Sequence, residues 1–120
     1  MTDDRLPKTL FSRIIDGEIP GEFVYQDDDL VAIRDINPAA PVHVLVIPRR
    51  PIPSLKELTA EDAELVGRLL LAAAEIARQE GIAEDGYRVV INTGAAGGQT
   101  VPHLHVHLLG GAQMHGHGVA

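Results

Sequence analysis

The tightest constraint on this chain lies near its C-terminal end, where His103-Leu104-His105-Val106-His107-Leu108 alternates histidine with aliphatic residues. A repeat of two belongs to a β-strand, whose successive side chains point to opposite faces. The alternation predicts a strand over Val101 to Leu109, closed by Gly110-Gly111. His103, His105 and His107 would then line one face, while Leu104, Val106 and Leu108 anchor the other in a core. Two strand residues span about 6.7 Å, so the imidazole row would be roughly 13 Å long.

The rest of the chain supplies a sheet for that strand. Phe23 to Gln26, Leu30 to Arg34, Val42 to Ile47 and Tyr87 to Ile91 read as four more strands, rich in β-branched and aromatic residues and bounded by turn signals. Asp27-Asp28-Asp29 reads as a solvated hairpin turn, and Asp35-Ile36-Asn37-Pro38 ends the second strand. The near-continuous apolar run Val42 to Ile47 suits a central strand buried on both faces. Leu10, Phe11, Ile14 and Ile15 form the stripe of a short helix, with Thr9 or Ser12 to cap it and Gly17 to end it. After the capping-box-like Thr59-Ala60-Glu61-Asp62, residues Leu65, Val66, Leu69, Leu70, Ala73, Ile76 and Ala77 share a face of a helix of about twenty residues that ends near Gly81. The expected architecture is α+β: about five antiparallel strands, one long helix across them and a short N-terminal helix.

With 120 residues, one domain spanning 1–120 is expected, with a flexible start over 1–8 and a C-terminal tail over 112–120. A net charge of -7 argues against non-specific binding of a nucleic acid polymer, which needs a basic surface. Two Phe, two Tyr and no Trp leave little material for a single-strand stacking platform. No apolar run reaches the roughly 18 residues of a membrane span, and the start carries no signal-peptide pattern. The absence of cysteine removes disulfides and thiol chemistry and fits a cytoplasmic home.

Two chemistries suit a row of imidazoles. Adjacent members, with His43 as a third ligand, could hold zinc, although nitrogens about 2.0 Å from one ion demand a hard lean from the outer pair. A phosphate is larger and could be spanned by neighbouring rings. A neutral histidine is also a competent nucleophile when one ring nitrogen is free and the other holds its hydrogen on a fixed acceptor. The upstream loop Asn92 to Thr100, carrying Gly94, Gly97 and Gly98, can offer backbone N–H groups to an anion. It lacks the lysine and the spacing of a P-loop.

The run His103-Leu104-His105-Val106-His107-Leu108-Leu109 resembles the His-φ-His-φ-His-φ-φ motif of the histidine-triad family, φ being hydrophobic. Phe11 to Pro20, Asp35 to Pro38, His43 to Arg49 and Gly86 to His115 resemble its nucleoside phosphoramidase branch. The resemblance implies that His105 attacks an α-phosphorus to form a nucleotidyl-histidine, and that His107 binds phosphoryl oxygens. His103 with His43 would form a supporting layer. Asn92 and Thr100 would contact the phosphate or leaving group, with Gln99 in the glycine loop beside them. Asp35 would hold the ribose hydroxyls, and Phe11, Ile14, Ile33, Ile36 and Leu45 would clamp a purine. The substrate would be a purine nucleoside 5′-phosphoramidate or an aminoacyl-adenylate, with no metal or other cofactor required. A homodimer joined across the long helix and the Tyr87 to Ile91 strand is implied as well.

Alternatives within the superfamily are a dinucleoside polyphosphate hydrolase and a nucleotidyltransferase, although sugar-phosphate transferases of this kind carry glutamine where His107 stands. A purine nucleotide sensor or partner-binding scaffold with incidental catalysis is the alternative from another class. The chain departs from the branch at two places. Its Gln113-Met114-His115 runs into Gly116-His117 rather than a tryptophan-containing tail, and Pro102 precedes the triad where an aromatic is often found. A proline there lacks a ladder N–H and implies a bulge or a strand edge.

Overall fold

A computed structural model of the chain describes residues 8–116. The chain runs α1 (Leu10–Ile15), β1 (Phe23–Gln26), β2 (Leu30–Arg34), β3 (Val42–Pro48), α2 (Ala63–Gln79), β4 (Tyr87–Val90) and β5 (Val106–Gly110). All strands join one antiparallel sheet in the order β1-β2-β3-β5-β4. The expected α+β architecture is observed. Residues 1–7 and 117–120, which include most of the expected flexible start and His117 of the tail, lie outside the described residues.

Period-two alternation sorts the sheet residues into two apolar layers. Leu30, Ala32, Val44, Val46, Leu104, Val106 and Leu108 pack against Leu69, Ala73, Ile76 and Ala77 of α2. Val31, Ile33, Leu45 and Ile47 pack on the opposite face against Phe11 and Ile14 of α1. Central β3 therefore feeds both layers, as its unbroken apolar run requires. Among the described residues the second layer is covered by the six-residue α1 together with Ile19 and Val101.

Local chemistry explains the element ends. Thr9 caps α1 by accepting from Ser12 N, and Gly17 beyond its C-terminus takes φ +81°. At the β1–β2 turn, Asp27 Oδ1 accepts from the N–H groups of Asp29 and Leu30 at 2.8 and 2.9 Å. The capping box at Thr59 and Asp62 is present, but it opens a 3-10 turn (Ala60–Asp62) that runs into α2. Arg49-Arg50 is tied down: Arg49 donates to Asp27 O at 2.7 Å, and Arg50 pairs with Asp62.

The fifth strand differs from its expected bounds. Its ladder starts at Val106, not Val101, and β4 stops at Val90. Pro102 has no N–H to give, His103 N donates back to Val101 O at 2.8 Å, and Leu104 N donates to Ile52 O at 2.7 Å. The segment before β5 is thus satisfied by local and loop bonds rather than by a neighbouring strand. Face alternation survives through it, because Leu104 remains in the α2 layer.

At the sheet edge, β4 pairs only with β5 among the described residues. Helix α2 contacts β3 and β5, and Tyr87 (37%) and Val89 (39%) stay exposed, as does Leu70 of α2 (43%).

Candidate active site

Strand register assembles the site. Ile33 of β2 is opposite Leu45 of β3, and Leu45 is opposite His107 of β5. An apolar row thus crosses the sheet and ends on an imidazole. Two residues along β3, on the same face, His43 reaches His107: its Nε2 lies 2.9 Å from His107 Nδ1. Phe11 of α1 stands edge-on to His105, with ring centroids 4.8 Å apart, and to His103 at 6.0 Å. His105 and His107 follow one another at 4.9 Å.

Hydrogen bonds to fixed backbone groups determine where each imidazole carries its proton. His105 Nδ1 lies 2.7 Å from the His103 carbonyl. A carbonyl only accepts, so the proton is on Nδ1 and the lone pair is on Nε2. His103 Nε2 lies 2.8 Å from Pro48 O, which puts its proton on Nε2 and leaves Nδ1 as an acceptor. His43 Nδ1 accepts from Ala39 N at 3.0 Å, so His43 donates from Nε2 to His107 Nδ1, and His107 presents Nε2–H. The row therefore alternates in function: a nucleophilic nitrogen on His105 sits beside a hydrogen-bond donor on His107.

Burial reinforces this state. His103 is fully buried and His105 is 7% exposed, and desolvation lowers both pKa values, opposed in each ring by its hydrogen bond to a carbonyl. His107 is lowered to about 4, by burial first and then by the neighbouring His105 and His43, with Asp35 pulling the other way. At neutral pH the row is uncharged, so His105 is in its basic form, with a free lone pair on Nε2.

The structure brings together most of the expected residues. Phe11, Ile14, Ile33 and Leu45 form one buried cluster, whereas Ile36 is 89% exposed on the β2–β3 loop and stands away from that cluster. Asp35 Oδ1 accepts from Asn37 N at 2.8 Å and closes an Asx turn, leaving Oδ2 3.5 Å from His43 Nε2. The expected His103–His43 layer is corrected: His43 pairs with His107, because register places β3 residue 43 beside β5. Asn92 is half-buried and Thr100 is exposed, at the two ends of the glycine loop.

Gln99 shapes that loop. Its Oε1 accepts from Gly94 N at 2.9 Å, and its Nε2 donates to Pro53 O at 2.7 Å and Val101 O at 2.9 Å. Gly97 is required where it stands, since a Cβ there would run into the Thr93 carbonyl. Two contacts were not foreseen from the sequence, the Thr9 hydroxyl on His103 at 2.8 Å and the Ala39 N–H on His43. The first joins residues 94 positions apart and left only a helix-cap signal. Ala39 left none.

Among the described residues, Asp35, His43 and His107 form a set whose ligand atoms lie within 4.8 Å of one another. A cation there would have to displace the proton shared by the two histidines.

A histidine free on one nitrogen, oriented through the other and flanked by a donor imidazole defines a site for covalent transfer at a phosphorus-like centre. The chain belongs to the HIT domain family, whose pattern matches residues 16–114. It is 55% identical over 107 residues to the purine nucleoside phosphoramidase of Escherichia coli K12, covering 89% of this chain and 90% of that protein. A 14 kDa zinc-binding protein of Zea mays is 51% identical over 108 residues, covering 88% and 84% respectively. Among solved structures, a HIT family hydrolase from Clostridium thermocellum superposes with a TM-score of 0.90 at 46% identity, covering 95% of this chain and 99% of that one.

Proposed function

We propose that this protein hydrolyses the P–N bond of purine nucleoside 5′-phosphoramidates, aminoacyl-adenylates being further candidate substrates, through a nucleotidyl intermediate on His105. The observation that carries the proposal is the 2.7 Å bond from His105 Nδ1 to the His103 carbonyl, which leaves Nε2 free beside the donor face of His107. The similarity to the Escherichia coli phosphoramidase supports the choice of bond.

In the first step the Nε2 lone pair attacks the α-phosphorus and the P–N bond breaks. Its electron pair leaves with the amine, which takes up one proton from solvent. In the second, water attacks phosphorus, the P–His105 bond breaks, and a proton returns to solvent as the nucleoside monophosphate leaves. His107 Nε2–H donates to a phosphoryl oxygen in both steps, held in that tautomer by His43. Asp35 Oδ2 accepts from the ribose, the Phe11, Ile14, Ile33 and Leu45 cluster receives the base, and Asn92 and Thr100 border the leaving group. No metal or other cofactor takes part, since the nucleophile is already neutral and oriented. The working form is a cytoplasmic homodimer, formed where edge strand β4 and the exposed apolar residues of α2 meet their counterparts in a second copy.

The test is a burst and steady-state assay with an adenosine 5′-phosphoramidate bearing a fluorescent amine, run with a chelator on wild type, His105→Ala and His105→Gly. Turnover that survives chelation and is lost in both variants is expected. Turnover abolished by the chelator would point to a metal site, and a bound nucleotide without turnover to a sensor. Preference for dinucleoside polyphosphates or for transfer to an acceptor would favour the other activities of the family.

A further inference from the structure

The row is held at its buried end by the N-terminal helix. Thr9 Oγ1 is the cap of α1, accepting from Ser12 N at 3.0 Å, and the same oxygen lies 2.8 Å from His103 Nδ1. His103 is completely buried and gives its only ring proton to Pro48 O, so Nδ1 must accept. The Thr9 hydroxyl is the donor at bonding distance; Ser12 Oγ, at 3.5 Å, sits at the limit. Thr9 thus uses a lone pair for the helix and its proton for the histidine, and the 3.1 Å contact between the Thr9 and Ser12 hydroxyls takes its proton from Ser12.

We propose that Thr9 is a positioning residue for the reaction, acting on the nucleophile through His103. The inference rests on His105 being that nucleophile. The His103 ring is pinned between β3, through Pro48 O, and α1, through Thr9, and its backbone carbonyl is the acceptor that orients His105. Without the Thr9 proton, the fully buried acceptor is left with the Ser12 hydroxyl at 3.5 Å, the limit of a hydrogen bond. To regain a full hydrogen bond the ring turns toward Ser12 or takes a proton onto Nδ1, and either change bears on the residue whose carbonyl orients His105. Phe11, two residues further along, rests on both rings, so the first turn of α1 sets the row by hydrogen bond and by packing. Correct placement of a reacting atom is sensitive to shifts on the order of 1 Å.

Three substitutions separate this role from simple helix capping. Thr9→Ser keeps cap and donor. Thr9→Asp keeps the cap, because its carboxylate still accepts from Ser12 N, but removes the donor. Thr9→Val removes both. Expected is a kcat near wild type for Thr9→Ser and a fall of about tenfold to a hundredfold for Thr9→Asp and Thr9→Val. KM should stay within about twofold in all three, because Thr9 does not touch substrate.

Nitrogen-15 spectra of the histidine rings provide a readout that needs no turnover: His103 should be protonated on Nε2 alone in wild type and Thr9→Ser, and altered in Thr9→Asp. Thr9→Asp with wild-type kcat and an unchanged His103 signal would overturn the inference while leaving the His105 reading intact. Activity retained in His105→Ala would remove the His105 reading on which the inference rests and overturn it as well.

Discussion

Acid should destabilise this fold through its histidine row, and His107 sets the scale. In the unfolded chain its imidazole takes a proton near the ordinary value of 6.5, but in the folded protein only at about 4. Between those values the unfolded state binds more protons, so stability falls as pH falls. The loss is absent well above pH 6.5 and complete below 4. For this one ring, going from pH 7.5 to 4.5 costs about 2.5 kcal/mol, a sizeable part of the roughly 5–15 kcal/mol that holds a typical domain together. His103 and His105 are shifted in the same direction and add to the loss. The carboxylates held low by partners, Asp27, Asp62 and Glu80, act mainly below this window.

Urea unfolding of wild type and His107→Gln at pH 7.5 and 4.5, at one protein concentration, isolates the effect. Glutamine cannot titrate, yet its carbonyl can still accept the His43 proton. The wild type should lose about 2.5 kcal/mol more than the variant between the two pH values. Equal losses in both proteins would refute the reasoning, because they would mean that His107 is not held neutral by its surroundings.

Asp35→Asn preserves the Asx turn to Asn37 but removes the charge and one acceptor. Wild type should therefore turn over ribonucleotide substrates about tenfold or more faster than 2′-deoxy analogues, and the variant should largely lose that preference; equal turnover of both by wild type would sink the ribose assignment. Val89→Lys on edge strand β4 should convert a dimer to monomer in analytical ultracentrifugation, while a wild type that sediments as a monomer would dispose of the proposed interface.

Much of this architecture is legible in the order of residues because it depends on short-range periodicity. The bounds of β1 and β2, the capping box at Thr59 and most of the apolar face of α2 follow from patterns within one element, although Leu70, expected on that face, is exposed. The alternation from His103 to Leu108 likewise puts imidazoles on one side and core on the other, whether or not the segment forms a ladder. The ladder itself begins later than the alternation suggests, since strand propensity does not register that Pro102 has no N–H and that Leu104 finds its acceptor in a loop at Ile52.

The spacing of the histidines marks the row as a candidate site, and the resemblance to the histidine-triad family singles out His105 within it. Proton placement within the group was a tertiary matter. Pro48 O and the Thr9 hydroxyl fix the tautomer of His103 from distant parts of the chain, the Ala39 N–H four residues away fixes that of His43, and the His103 carbonyl, also a backbone group, fixes His105. Backbone acceptors and donors carry no residue identity that a motif could display. The pairing of His43 with His107 rather than His103 was settled by the register of β3 on β5, and the exposure of Ile36 by the course of a loop. A sequence specifies which side chains share a face, but the partner each polar atom meets depends on how the faces are stacked and slid against one another.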